Sequence, residues 1–247
     1  MKQVKGVEEI EKIIKYAPKR MQLMLKSVAY YNSSFSSHAL ERILFAMFII
    51  DRKFFVSDEE YAYDDNALPI GNGQTISQPS TVTRMLLLAK LEEGDDVLEI
   101  GAGSGWNAAL ISFLVYPGGV VSVDRIASLV EKAEKNIINL KNHLKQKHPQ
   151  DVQKLDKLNF LAEDIFSKGK IWKKKYDKII FTAGIANSET EKKVKKMADS
   201  LLKQKGILIC PYTSGPLIIY KKKQKELKRE ETREEYVFVP LLKEVEK

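Results

Sequence analysis

A doubly wound α/β fold with a mostly parallel seven-stranded sheet is what the sequence predicts. Two observations carry this. From Thr81 onward, apolar runs of strand length alternate with stretches of helical period, and such alternation implies a parallel sheet covered on both faces. In addition, the first of these strands runs straight into a glycine-rich turn that opens a helix, Val97-Leu98-Glu99-Ile100-Gly101-Ala102-Gly103-Ser104-Gly105.

The elements follow in order. From Val7 to about Ile50 apolar residues recur at helical spacing, as in Ile10, Ile13 and Ile14, in Met21, Met24 and Leu25, and in Leu40, Ile43, Leu44 and Met47. Breaks at Pro18 and Asn32-Ser33-Ser34 divide this stretch into two or three helices. Asp51 to Ser80 contains Pro69, Gly71, Gly73 and Pro79 with little periodicity and reads as a long loop, a kind of segment that is usually functional. Helices are then expected over 81–91, 104–115, 126–144 and 189–202. Strands are expected over 96–100, 120–124, 158–162, 178–182 and 206–211. Two later strands, 217–222 and 236–241, flank the charged run Lys221 to Glu235, whose one apolar residue is Leu227. They predict a C-terminal hairpin that adds an antiparallel edge to the sheet. The division expected is a helical extension over 1–60 packed on a core formed by 61–247, which includes the C-terminal strands.

Composition bounds the answer. A chain of 247 residues, 44% hydrophobic, can bury one substantial core. The net charge of +8 would suit a polyanion, but charged residues make up 30% and are spread as Lys/Glu mixtures, the pattern of a solvated surface. Nucleic acid is therefore not the expected partner. The single Cys210 sits in the apolar run Gly206 to Cys210, fits a buried thiol and excludes an intrachain disulfide. Residues 1–6 open no apolar signal region, and no stretch approaches the roughly 20 apolar residues of a membrane span. A cytoplasmic, monomeric protein without a membrane partner is expected.

The glycine turn defines the candidate site. Glycines at a strand-to-helix turn let backbone N–H groups approach a ligand where a Cβ would clash, and the helix start adds positive potential. Dinucleotide turns favour G-x-G-x-x-G. Here Gly101, Gly103 and Gly105 make G-x-G-x-G, preceded by Glu99, a carboxylate suited to a cationic ligand and ill suited to a pyrophosphate. Asp124 follows Gly105 at about the spacing of an acid that binds two ribose hydroxyls. Asp164 ends the next strand and could accept from an adenine amino group. The plain alternative is that the glycines only permit a tight turn while Asp124 and Asp164 cap helices. Taken together, the turn and the three acids point to S-adenosylmethionine.

The segment Ala67-Leu68-Pro69-Ile70-Gly71-Asn72-Gly73-Gln74-Thr75-Ile76-Ser77-Gln78-Pro79 resembles the signature loop of the protein-L-isoaspartate O-methyltransferases. Ala46-Met47 through Asp51-Arg52-Lys53-Phe54-Phe55-Val56, Leu98 to Gly105, Ser122 to Ile126, Tyr176 to Ala183 and Phe238-Val239-Pro240-Leu241 are similar to the family's other segments in order, so the resemblance covers about residues 41 to 242. It implies a Rossmann-like methyltransferase that moves a methyl group from S-adenosylmethionine to the carboxylate of isoaspartyl residues in damaged proteins. It also implies Ser77 as the catalytic residue, bonded to the substrate carboxylate or the cofactor. Thr75 and Ile76 would line the cofactor wall with Glu99, Gly101, Gly103, Gly105, Asp124, Arg125, Asp164 and Ile165, and Thr182 and Ala183 would join Ser77 at the substrate. A carboxylate with a pKa near ~4 is ionised at neutral pH and needs no general base. None of His38, His143 and His148 falls in a motif.

The sequence departs from the family's common pattern at Ser80, at Ile165, at Ala186 within Thr182 to Asn187, and over Tyr212 to Pro216. Two alternatives stand beside the repair reading. One is a diverged methyltransferase with another acceptor such as nucleic acid, although the Asn/Asp-Pro-Pro-aromatic motif of amino-directed base methylation is absent at Thr182 to Ile185. The other is an inactive binding module of the same fold. No Asp/Asn cluster suggests a metal. The basic N-terminal helix with Lys15, Lys19, Arg20 and Lys26 is a candidate partner surface.

Overall fold

Three helices open the chain: α1 (Lys2–Tyr16), α2 (Lys19–Tyr31) and α3 (Ser37–Ile49). They are seen in a computed structural model that describes residues 2–167, 169–224, 226–242 and 246. Met1 and Lys247, the outer limits of the two expected divisions, lie outside the described residues. Pro18 separates α1 from α2 because proline has no N–H to continue a helix. α2 buries Met21, Met24, Leu25 and Val28, and α3 buries Leu40, Ile43, Leu44 and Met47. These residues belong to the same apolar cluster as the helices that cover one face of the sheet. Lys15, Lys19, Arg20 and Lys26 lie on the exposed side.

Residues 51–80 are more ordered than the expected loop. Short 3-10 turns at Arg52–Phe55 and Glu59–Tyr61 lead into a hairpin of β1 (Leu68–Gly71) and β2 (Gln74–Ile76). The turn Gly71-Asn72-Gly73 takes φ values of 99°, 52° and 65°, a left-handed path open to glycine and, among other residues, best to asparagine. Strands of three and four residues are too short to leave an alternating signature.

The chain continues through α4 (Pro79–Ala89), β3 (Asp96–Ile100), α5 (Trp106–Val115), β4 (Gly119–Asp124), α6 (Ala127–Lys147), β5 (Leu158–Ala162), β6 (Tyr176–Phe181), α7 (Ser188–Leu201) and β7 (Leu202–Pro211). It ends with β8 (Ser214–Gly215), β9 (Leu217–Lys223), β10 (Glu226–Glu231) and β11 (Tyr236–Val237). Among the described residues, seven strands form one sheet in the order β10-β9-β7-β6-β3-β4-β5, parallel from β7 to β5. The chain winds outward one way through β4 and β5 and the other way through β6 and β7. The crevice beyond the carboxyl ends of β3, β4 and β6 is therefore a topological switch point, where open α/β sheets bind ligands. In register, Ile100 pairs with both Val123 and Phe181, so Gly101, Asp124 and Thr182 leave the sheet side by side.

The antiparallel edge is present but is built differently from expectation. β9 turns at Gln224 into β10, which lies in the charged run expected to be a connection. An edge strand with little apolar burial needs no hydrophobic alternation; the ladder and the Lys221–Glu230 ion pair hold it. Its charges also guard the open edge against pairing with other chains. Of the strand expected over 236–241, only β11 forms, and it pairs with β8 outside the large sheet. Cys210 is fully buried in β7, and burial raises its thiol pKa. Among the described residues, no helix is long and apolar enough to cross a membrane.

Candidate functional site

Each glycine in the turn after β3 has a separate job. Gly101 has φ 103°, and a Cβ there would stand 2.2 Å from Thr182 Oγ1. Gly105 has φ 86° and packs on α6 and β5, where a Cβ would meet the Ala133 methyl at 3.0 Å and Phe160 at 3.3 Å. Gly103, at φ 50°, donates its N–H to Asp124 Oδ2 at 3.0 Å. The Gly101 and Ala102 N–H groups both donate to the Val123 carbonyl, at 2.8 and 3.1 Å. Bonds across β3 and β4 thus hold the turn open and tilt its backbone over the crevice.

A cleft opens above this turn. The glycine turn contributes Gly101 and Gly103, β4 and its exit contribute Asp124 and Arg125, and the end of β5 contributes Asp164 and Ile165. Thr182 and Ala183 follow β6, and Thr75, Ile76 and Ser77, at the end of the β1–β2 hairpin, line the same cleft. Eleven of the residues expected from sequence therefore face one space. Glu99 and Gly105 do not line it.

Glu99 lies one layer behind the wall, fully buried. Its Oε1 accepts from Asn107 Nδ2 at 2.7 Å, and Ser122 Oγ donates to its Oε2. Burial raises its pKa to about 8 against the opposing pull of those two hydrogen bonds. Strand β3 alternates, so Glu99 points to the α5 side, and Asn107 in the first turn of α5 meets the cleft in its place. Glu99, expected from its position before the turn to face a ligand directly, therefore does not line the cleft.

The other polar side chains are partly committed. Asp124 also accepts from Ile126 N–H at 3.0 Å, so it caps the next turn and lines the cleft at once. Asp164 Oδ1 accepts from Phe166 N–H at 2.9 Å. Thr182 turns its hydroxyl back to the Gly101 carbonyl at 2.6 Å, which fixes the turn. Arg125 pairs with Glu246 at 2.8 Å, and the two residues also join through Glu246 N–H to the Arg125 carbonyl at 2.8 Å.

Several wall residues were not anticipated. Val239 to Leu242 cross the cleft instead of extending the sheet, held where Gly184 N–H donates to Val239 O at 2.8 Å and Leu241 N–H to Gly184 O at 2.7 Å. Their apolar run reads as a strand, and nothing local distinguishes a strand from an extended wall. Asn107 could have been found: it is the single amide in the otherwise apolar start of α5, Trp106 to Leu110. Of the departures, Ile165 is on the wall, buried to 5% exposure. Ser80, Ala186 and Tyr212 are not: Ser80 is buried in α4, Ala186 is exposed, and Tyr212 donates to Glu191 Oε2 at 2.6 Å. The histidines are also elsewhere, with His143 beside Phe54, His148 beside Phe48 and His38 beside Glu41.

Comparison with known proteins yields one family and several relatives. The sequence model of the protein-L-isoaspartate(D-aspartate) O-methyltransferases matches residues 27–246. A protein-L-isoaspartate O-methyltransferase of Pyrococcus abyssi is 41% identical over 186 residues, 72% of this chain and 76% of that protein. One from Thermococcus sibiricus is 44% identical over 146 residues, 58% of this chain, and the match spans 60% of that relative. Among solved structures, one described as a protein-L-isoaspartate O-methyltransferase superposes with a TM-score of 0.69 at 25% identity, covering 92% of this chain and 66% of that one. The fold is shared also with a Plasmodium falciparum structure described as a complex with S-adenosyl-L-homocysteine, at TM-score 0.65 and 23% identity, covering 81% of this chain and 90% of that one.

Proposed function

The chain belongs to the protein-L-isoaspartate(D-aspartate) O-methyltransferase family, and from that premise we propose that it methylates the carboxylate of isoaspartyl residues in damaged proteins, using S-adenosylmethionine. The observation that carries this reading is the convergence of Thr75, Ile76 and Ser77 with the glycine turn and Asp124 on one cleft at the switch point. The segment that specifies the acceptor thereby meets the segment that specifies the donor.

The cleft suits this cofactor. Gly101 and Gly103 bring bare backbone to the cleft, and Asp124 and Asp164 stand at neighbouring strand ends as hydrogen-bond acceptors. Asp124 would hold the ribose hydroxyls, Asp164 and Ile165 the adenine, and Asn107 and the glycine turn the amino-acid part. When bound, S-adenosylmethionine supplies a methyl group on a sulfonium, which leaves as the neutral thioether once a carboxylate oxygen attacks. Ser77 would donate to that carboxylate and orient it, and orientation alone can contribute several kcal/mol, on the order of 7 or more for a well-aligned pair. An isoaspartyl carboxylate is ionised at neutral pH and needs no general base.

The test is methyl transfer from labelled cofactor to two matched peptides, one with isoaspartate and one with ordinary aspartate. Transfer confined to the isoaspartyl peptide supports the reading. Cofactor binding without transfer to either peptide would point to another acceptor, and failure to bind the cofactor would leave only the binding module.

A further inference from the structure

Arg52 is fully buried, yet each hydrogen bond of its guanidinium among the described residues goes to a backbone carbonyl and none to a carboxylate. Its guanidinium is spent on backbone carbonyls. Nη1 donates to Ala62 O at 2.9 Å and Asp64 O at 3.1 Å, and Nη2 donates to Asn66 O at 2.9 Å and Ser77 O at 3.2 Å. Its Nε is buried without a partner. The plane lies over Trp106, 5.2 Å from the ring, and Trp106 lines the cleft while donating Nε1–H to Ile50 O at 3.1 Å. Burial lowers the Arg52 pKa to about 10, with the charges of Asp65 and Asp64 opposing the shift, so the side chain remains a cation at neutral pH.

A cation is costly to take out of water, and a well-packed apolar side chain would spare that cost. What Arg52 supplies instead is geometry. A planar fork presents donors in fixed directions, which an ammonium cannot reproduce. This fork ties the 62–66 segment, at both its ends and its middle, to the Ser77 peptide, which follows the hairpin, and braces both against the aromatic wall of the cleft. Asp65 anchors the same loop from the other side, accepting from Ser80 N–H at 2.9 Å and Ser27 Oγ at 2.7 Å.

We propose that Arg52 is a positioning residue for Ser77: by holding the Ser77 carbonyl and the 62–66 loop in one frame, it sets where the Ser77 hydroxyl stands on the cleft wall. The inference rests on the proposed carboxyl methylation for its catalytic readout, and it makes a structural claim that does not. Arg52 touches neither donor nor acceptor and acts through the backbone of the residue that does.

The experiment compares wild type, R52K, R52Q, S77A and the double variant R52K/S77A. The expected result is that R52K melts as a folded protein and binds S-adenosylmethionine within about threefold of wild type, while kcat/KM for the isoaspartyl peptide falls at least about tenfold, mostly in kcat. R52K in the S77A background should add little further loss, because coupled sites are not additive. Amide hydrogen exchange over 74–78 should accelerate in R52K, and this readout stands even if the wild type proves inactive on isoaspartyl peptide. R52Q, which carries no charge to bury, takes the place of R52K if the lysine variant does not fold. Full additivity with S77A, unchanged exchange over 74–78, or recovery of neither variant in folded form would each overturn the proposal.

Discussion

Gly103 N–H donates to Asp124 Oδ2 at 3.0 Å while Ile126 N–H donates to Oδ1 at 3.0 Å, so one carboxylate locks the glycine turn to the exit of the neighbouring strand. The acid is then held still where it meets the cleft. Asp124→Asn keeps one acceptor oxygen and must give up one of the two N–H bonds as well as the charge. A charged hydrogen bond contributes about 1.5–3 kcal/mol, and each ~1.4 kcal/mol is a factor of ten. Cofactor affinity measured by calorimetry should therefore weaken at least about tenfold in D124N, and further in D124A.

Gly101→Ala should damage the same turn by two routes. The new Cβ would stand 2.2 Å from Thr182 Oγ1, and the residue would be forced to hold φ 103°. The first cost can be removed by Thr182→Ala, but the second cannot, since a non-glycine residue in such a conformation costs on the order of 1–3 kcal/mol. The double variant G101A/T182A should regain part of the lost melting temperature and remain below T182A alone. Full recovery in thermal melts would show that the contact, and not the backbone, requires glycine.

Much of this site is legible in the sequence. Asp124, Asp164 and the glycines sit at strand ends, and strand ends in a parallel sheet are brought together by topology, so their order in sequence is enough. Val239 to Leu242 and Arg52 escaped because their roles are set by what lies across from them: an apolar extended segment can pair in a sheet or wall a cleft, and a buried arginine in an Arg-Lys-Phe-Phe run looks like any surface cation. β10 escaped for the opposite reason, since a solvated edge strand held by its ladder leaves no hydrophobic signature in Glu226 to Glu231. Glu99 lies one layer behind the cleft wall and not on it, because strand alternation decides which side it faces and the turn after it obscures the count.

Ser77→Ala removes a hydroxyl from a residue that lines the cleft and leaves the backbone bonded to Arg52. With cofactor affinity changed less than about threefold, kcat/KM on isoaspartyl peptide should fall about ten- to a hundredfold, the scale of one lost hydrogen bond to a charged group, ~1.5–3 kcal/mol. An S77A enzyme with full activity would remove the residue from the chemistry.

Glu99 gives the protein a pH dependence with a definite sign. Its folded pKa is raised from 4.5 to about 8, chiefly by burial, so over that interval the native state holds a proton that the unfolded chain has released. Stability is then fullest below the unfolded pKa and declines as pH rises toward 8, levelling off above it. The size is on the order of a few kcal/mol, since a tenfold difference in proton affinity between the folded and unfolded chain corresponds to about 1.4 kcal/mol. Glu99→Gln keeps the shape and can still bond Ser122 and Asn107, but it cannot ionise. Denaturant unfolding between pH 5 and 8.5 should show a downward slope in the wild type that is flattened in E99Q, with the variant gaining relative to wild type as pH rises. Equal slopes in the two proteins would mean that Glu99 is ionised throughout the range, its charge stabilised by the hydrogen bonds from Ser122 and Asn107.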